Sequence, residues 1–556
     1  MRVLVPLLAL VGLLSLRAEV APIPRLRSAG EPVALVVVDD GKRAVTANRS
    51  GSASVVDLVT GKVEADVPLG RKLADVAEVD GKTLLAVDEA AGELLIVTRT
   101  QAEFGRVRRV PVGRGPVCVR PCGTGSCAVA NLWDRTVAIV ALGDSPRVVR
   151  TVSLAFNPRL MLPLPDGSRL VVADAFGGRI AVVDAERGVV ESTRTVPGSN
   201  IRGLALAPGG KALWVAQVVV SPDVETTRDN LHWGNAVTGV IREVLLADLL
   251  DPGVSFDRRT RVFPLDVPGR GPGDPSGLAV AADGVAVVTL GGTGEIAIGP
   301  VAAVAPRRSA LGQRPTAVAV SPDGKTAYAV DPFADTLSAV TVADRTVRFT
   351  AKLGDPPAST PAARGERLFY DARLSNEGWM SCHTCHPDGH TSGLRADTPA
   401  DDGFGAPKRI PTLLGTRDAA PWNWSGKSAD LAGLIGRTLA GTMHGRELSA
   451  DRLADLEAYL RTLDPPPPAT RTATARGKEL FEHHGCAACH NPATAYTSGK
   501  GSDVGLADEL GTRRFHPPSL RGVGQGSAFY HDGRAKTLED VFTTHPHAKT
   551  GDVPAA

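Results

Sequence analysis

From Pro32 to about Val347 the chain alternates short apolar runs with polar turns, and the same phrase returns seven times. The units begin at Pro32, Asp75, Pro116, Arg159, Gly203, Gly277 and Ala317, about 42 residues apart. Extra residues at about 222–270, carrying His232 and Trp233, separate the fifth unit from the sixth. Each unit reads as an apolar strand, an Asp-Gly or Gly-Gly turn, a second apolar strand, a polar turn and a third strand ending in Val-Asp or similar. Three or four strands per unit make a propeller blade. One blade cannot cover both faces of its own sheet, so the set must close into a ring. The pattern therefore predicts an all-β, seven-bladed propeller over residues 30–353.

The period changes after a Pro-rich linker at 354–363. ARGERLFYD, SADLAGLIGRTLAG and SADRLADLEAYLRTL carry helical spacing, and a second linker at 464–474, containing Pro465 to Pro468, leads to another helical start, ARGKELFEHHG. Two all-α units in tandem follow, at 364–463 and 475–556. After His545 only PHAKTGDVPAA remains, whereas LADLEAYLRTL closes the first unit, so the second either closes differently or the sequence stops short of its natural terminus. At the other end Met1-Arg2 precedes an apolar run to Leu16, shorter than the ~20 residues a bilayer span needs. Residues 1–21 read as an export signal, placing the mature chain in the periplasm or otherwise outside the cytoplasm, with no later membrane span.

Composition narrows the function. A chain of 556 residues needs more than one core, and 62 Lys+Arg against 60 Asp+Glu disfavour a dedicated nucleic-acid binder. Eleven of the twelve histidines and four of the seven cysteines lie after position 380, which puts the chemistry in the helical part. There, Cys382-His383-Thr384-Cys385-His386 and Cys486-Ala487-Ala488-Cys489-His490 are each Cys-x-x-Cys-His, the attachment signature of c-type haem. Composition alone would supply about 0.002 such motifs. Two thiols bond the porphyrin and the adjoining histidine ligates iron, so two covalent haems are expected, on Cys382, Cys385 and His386 and on Cys486, Cys489 and His490. A shared zinc site, a thioredoxin-like pair or plain disulfides explain the extra histidine less well. In the propeller, Cys118 and Cys127 are expected as an oxidised pair across a hairpin, with Cys122 left over. A metal on these three is the weaker reading, because no histidine is near.

PDGKTAYAVD resembles the YVTN-type β-propeller repeats. The tail resembles the bacterial di-haem cytochrome c peroxidase and MauG family through LFYDARLSNEGWMSCHTCH, RIPTLLGT, WNWSGKSADL and FHPPSLRGVGQGSAFYHDGRAKTLEDV. The resemblance implies two facing haem domains, one taking electrons and the other meeting peroxide. Trp424 matches the family's tryptophan between the haems, and is equally explained as a packed aromatic. His545 stands where the family has the methionine ligand of the second haem, with His547, His516 or an open site as alternatives. A His545–His490 pair would lower that haem's potential. For the first haem, the loop GLRADTPADDGFGAPKR lacks the family's distal histidine, which leaves His390, Met443 and His444. Met443 aligns with a family methionine and Thr442 with the catalytic glutamate, so the group that moves a proton during O–O cleavage is not matched. Ile410 precedes Pro411 where the family has its calcium-site asparagine, so calcium is not supported by residue match. His383, His483 and His484 read as solvated or propionate-facing.

The function these readings imply is an exported di-haem c-type cytochrome, an electron-transfer protein with peroxidase or MauG-type haem-dependent oxidoreductase activity at an open haem. Its expected partners are a small cytochrome or cupredoxin, with hydrogen peroxide or a protein as substrate. The alternative is a non-catalytic electron carrier or redox-responsive binding protein whose propeller docks a partner. A propeller enzyme using the haems as an electron outlet lacks a visible site.

Overall fold

Every repeat folds into one four-stranded antiparallel sheet with its strands in chain order, and there are seven such sheets. A computed structural model describes residues 30–355, 359–401, 403–468, 474–545 and 547; the export signal expected at 1–21 lies outside them. In the first blade, Pro32–Val38, Arg43–Asn48, Ser52–Asp57 and Val63–Pro68 pair in that order. The last blade runs from Val318 to Lys352. First strands of successive blades touch around the centre, and the seventh blade meets the first. Second and third strands are buried because the neighbouring blades cover both faces, while fourth strands such as Val189–Thr195 alternate exposed and half-buried positions.

The Val-Asp that ends second strands, distinct from the one expected at third strands, has a physical reason. Asp88, at the end of a second strand, accepts the Arg71 N–H at 2.7 Å, and Asp331 accepts those of Gln313 and Arg314 at 2.6 and 2.8 Å. These carboxylates satisfy backbone donors in the connections between blades, which would otherwise be left without partners. The ring closes in the same way, with the Gly30 and Glu31 N–H groups donating to Asp335 at 3.0 and 2.8 Å.

Two expectations change. The extra residues near 222–270 are not one insertion, because the third strand of blade five, Val237–Leu245, lies inside them. They divide into 221–236, which carries the short helix Arg228–His232, and 246–260. The Cys118–Cys127 pair does not form: Cys118 lies opposite Ala130 and Cys127 opposite Pro121, and all three cysteines are free thiols. Strand alternation sends Cys118 and Cys122 to the face packed on Phe156 and Met161, and Cys127 to the other.

In the first haem unit, Thr360 caps the helix Pro361–Phe369, which packs on Ala450–Leu460. The helices approach so closely at Gly365 that an added Cβ would collide with the Asp455 carbonyl. Arg364 locks them, donating to the Asp455 carboxylate at 2.7 and 2.6 Å. The helix Ala475–His483 opens the second unit with nearly the same residues, but it buries none of them among the described residues. No helix among the described residues is long and apolar enough to cross a membrane.

The first unit is seated on the propeller face made by the turns between second and third strands and by the connections between blades. Phe333, Val218 and Leu231 of the propeller share one apolar cluster with Phe369, Trp379 and Leu456. Burying one such side chain is worth about 1.5–3 kcal/mol. Ala372 donates to the Gly292 carbonyl at 2.9 Å, Gly271 to that of Glu377 at 2.9 Å, and Arg49 pairs with Glu366 at 2.8 Å. Segment 221–236 acts as a strap, with the Thr226 N–H donating to the Asp397 carbonyl at 3.0 Å.

Candidate haem centres

Ser381 caps the short helix Cys382–Cys385 in a reciprocal box with Thr384. Both hydroxyls donate to the buried propeller carboxylate of Asp274, from Thr384 at 2.6 Å. The cysteines are thus presented on a turn fixed from below. His386 Nδ1 lies 2.9 Å from the Pro411 carbonyl, which makes it the N–H nitrogen and leaves Nε2 for a metal. Burial pushes His386 down to about 4, so the imidazole is neutral, as a ligand must be.

The second motif repeats this logic on a looser frame. Gly485, at φ 66°, turns the chain into Cys486–Ala488. His490 Nδ1 faces the Tyr496 carbonyl at 3.0 Å, and burial again lowers its pKa. Two thiols and one neutral, tautomer-fixed imidazole at each motif fit covalent haem.

Of the two readings of His383, solvated or propionate-facing, burial excludes the first. His383 is 3% exposed, accepts the Asp388 N–H at 3.0 Å and packs 4.7 Å from the Tyr370 ring, itself covered by Arg314. Burial and the Arg202 charge hold its pKa well below the ordinary value. Burial pushes the Asp388 carboxyl up, but Arg159 at 2.8 Å and Arg202 at 3.0 Å outweigh it and hold it well below the usual range. His483 is exposed and His484 partly so.

Of the candidates for the first sixth ligand, His390 is buried against the propeller, 4.6 Å from Phe176, with Nδ1 2.8 Å from the Thr412 hydroxyl. His444 places Nε2 2.7 Å from the Thr226 carbonyl of the strap. Met443 lies in the apolar cluster that Cys382 and Cys385 border. In the second unit, His545 gives its backbone carbonyl to the Tyr530 hydroxyl and sets its ring edge-on to that residue. His516 bonds Thr497 through Nε2 at 3.1 Å.

Trp424 sits where the two units meet. Its indole N–H donates to the Arg409 carbonyl at 2.7 Å, and its own carbonyl accepts the His516 N–H at 2.8 Å. Its ring is 6.5 Å from His531, which stacks on Phe515 at 3.9 Å, and Arg409 lies over it at 5.1 Å. In the sequence Phe515 and His531 stand only as parts of a longer motif, and no local signal singles out Arg409 or Asp274. Those roles come from contacts distant in sequence.

Residues 360–464 and 480–550 match the family described as di-haem cytochrome c peroxidase, about a third of the chain. The match spans both Cys-x-x-Cys-His motifs and assigns two covalently bound c-type haems to this part. Among curated relatives, the cytochrome c551 peroxidase of Pseudomonas aeruginosa is 24% identical over 261 residues, covering 36% of this chain and 75% of that protein. The methylamine utilization protein MauG of Methylorubrum extorquens is 28% identical over 247 residues, covering 34% and 69%. Hydrazine synthase subunit gamma of Kuenenia stuttgartiensis is 25% identical over 238 residues, covering 32% and 67%. Among solved structures, a chain of Kuenenia stuttgartiensis hydrazine synthase is similar in fold, with a TM-score of 0.50 at 20% identity, over 58% of this chain and 98% of that one.

Proposed function

We propose that the protein is an exported di-haem c-type cytochrome acting as a haem-dependent oxidoreductase, taking electrons at the His490 centre and using them at the His386 centre. When bound, haem iron supplies the one-electron chemistry at both motifs. The chain's part is to hold each imidazole by Nδ1, to fix the first attachment turn through Asp274, and to bridge the units. The observation that carries the reading is Trp424, whose indole N–H is held by the first unit and whose carbonyl is held by the second. His444 commits Nε2 to the Thr226 carbonyl, which leaves Met443, His390 through Nε2, or an open position for the first iron, and the oxidoreductase reading takes it as open or only weakly ligated. The substrate class is hydrogen peroxide or an oxidisable protein, and the electron donor a small cytochrome or cupredoxin.

A second reading, an electron carrier without turnover, is favoured by Thr442, a hydroxyl where the family places its catalytic carboxylate. One measurement separates them: optical spectra of the haem-loaded protein in oxidised, half-reduced and reduced states, with haem counted per chain. The oxidoreductase reading expects two haems and a high-spin band in at least one state. Purely low-spin spectra throughout would overturn it in favour of the carrier. His386→Ala and His490→Ala should each remove one haem's normal spectrum.

A further inference from the structure

The proximal histidine of the second unit faces another imidazole. The ring centroids of His490 and His547 are 6.1 Å apart, with planes inclined at 37°. His490 commits Nδ1 to the Tyr496 carbonyl, leaving Nε2 for a metal. Two imidazoles on opposite sides of one metal are separated by two bonds of about 2 Å and two ring radii of about 1.1 Å, roughly 6.2 Å in all. The observed spacing has that length. The competing side chains are placed otherwise. Among the described residues no ring contact joins His545 to His490; the His545 ring packs at 89° against Tyr530, 6.3 Å away. His516 Nε2 points at Thr497, whose hydroxyl proton goes to the Pro517 carbonyl at 2.7 Å, so that nitrogen donates and only Nδ1 keeps a lone pair; among the described residues no ring contact joins His516 to His490.

We propose that His547, rather than His545, is the sixth ligand of the second haem iron, giving that centre two histidines. This rests on the reading that Cys486, Cys489 and His490 hold haem. Tyr530, 5.8 Å from the His547 ring, donates its hydroxyl proton to the His545 carbonyl two residues before it. A nitrogen donor in place of a thioether lowers the potential, which suits a centre that passes electrons onward rather than storing them.

The test uses full-length, haem-loaded protein with His547→Ala, His547→Met and His545→Ala, read by haem count, low-temperature electron paramagnetic resonance and redox titration. His547→Ala should keep two haems per chain, lose one low-spin ferric signal in favour of a high-spin one, and recover it on addition of imidazole. His547→Met should stay low-spin with the midpoint potential of one haem shifted upward, while His545→Ala leaves signals and potentials unchanged. The assignment is overturned if His547→Ala retains every low-spin signal of the wild type, or if His545→Ala produces the loss instead. A wild-type count below two haems per chain would overturn the haem reading itself, a failure visible before any variant is made.

Discussion

The ion pair between Lys408 and Asp508 joins the two haem units near Trp424, and its two halves should not be equally costly to remove. Nζ and Oδ2 are 2.9 Å apart, with the side chains 9% and 4% exposed. Breaking a buried pair typically costs about 3–5 kcal/mol, because one charge is left without compensation. The surroundings divide that cost unevenly. Without Lys408, the Asp508 carboxylate still accepts the N–H groups of Leu510 at 3.0 Å and Thr512 at 2.7 Å. Without Asp508, the Lys408 ammonium keeps only the Ala406 carbonyl, at 2.7 Å, among its recorded partners. Lys408→Ala should therefore cost about 2 kcal/mol and Asp508→Ala about 4 kcal/mol. Burial pushes the Asp508 carboxyl up, but Lys408 and the Thr512 N–H outweigh it and hold its pKa below the usual value. A carboxylate lowered in the folded state stabilises fully above its unfolded value of about 3.9, and the contribution drains away as pH falls from there through the folded value. The assay is guanidinium unfolding of haem-loaded protein followed by circular dichroism of the haem band, taken as the transition of this part of a multidomain chain. Equal costs for the two single variants at pH 7, or costs that do not shrink at pH 3, would refute the argument.

The two helix-opening glycines make a matched pair. Gly365→Ala must push the Asp455 backbone away and should destabilise the first unit by at least 1–3 kcal/mol. Gly477→Ala meets only the capping Thr474 hydroxyl, at 2.9 Å, so a gain in helix propensity is offset by a loosened cap and the net change should stay within about 1 kcal/mol of zero, both read by thermal unfolding; the reverse order would contradict the packing. Burial pushes the Cys118 thiol up to about 12 and Cys122 to about 11, and raises Cys127 as well. A thiol reagent should find none of the three in native haem-loaded protein and all three after denaturation, whereas a single reactive thiol would restore the disulfide.

Elements specified by local spacing were legible in the sequence. Seven repeats of strand and turn predicted seven blades because a sheet needs both faces covered, and Cys-x-x-Cys-His predicted the attachment centres because one helical turn brings two thiols and an imidazole to one porphyrin. The fourth strand was less evident, since its outer positions are polar and carry no strong apolar phrase. Cys118 and Cys127 misled because their spacing suits a hairpin, while their parity sends them to opposite faces. Tertiary structure alone decided which imidazole lies beside His490. His545 and His547 are two residues apart and chemically identical, and only the folded path of the chain turns the second toward His490. It also decided that the propeller is a base for the first haem unit, because Asp274 meets Ser381 and Thr384 across more than 100 residues of chain, a separation no local pattern records.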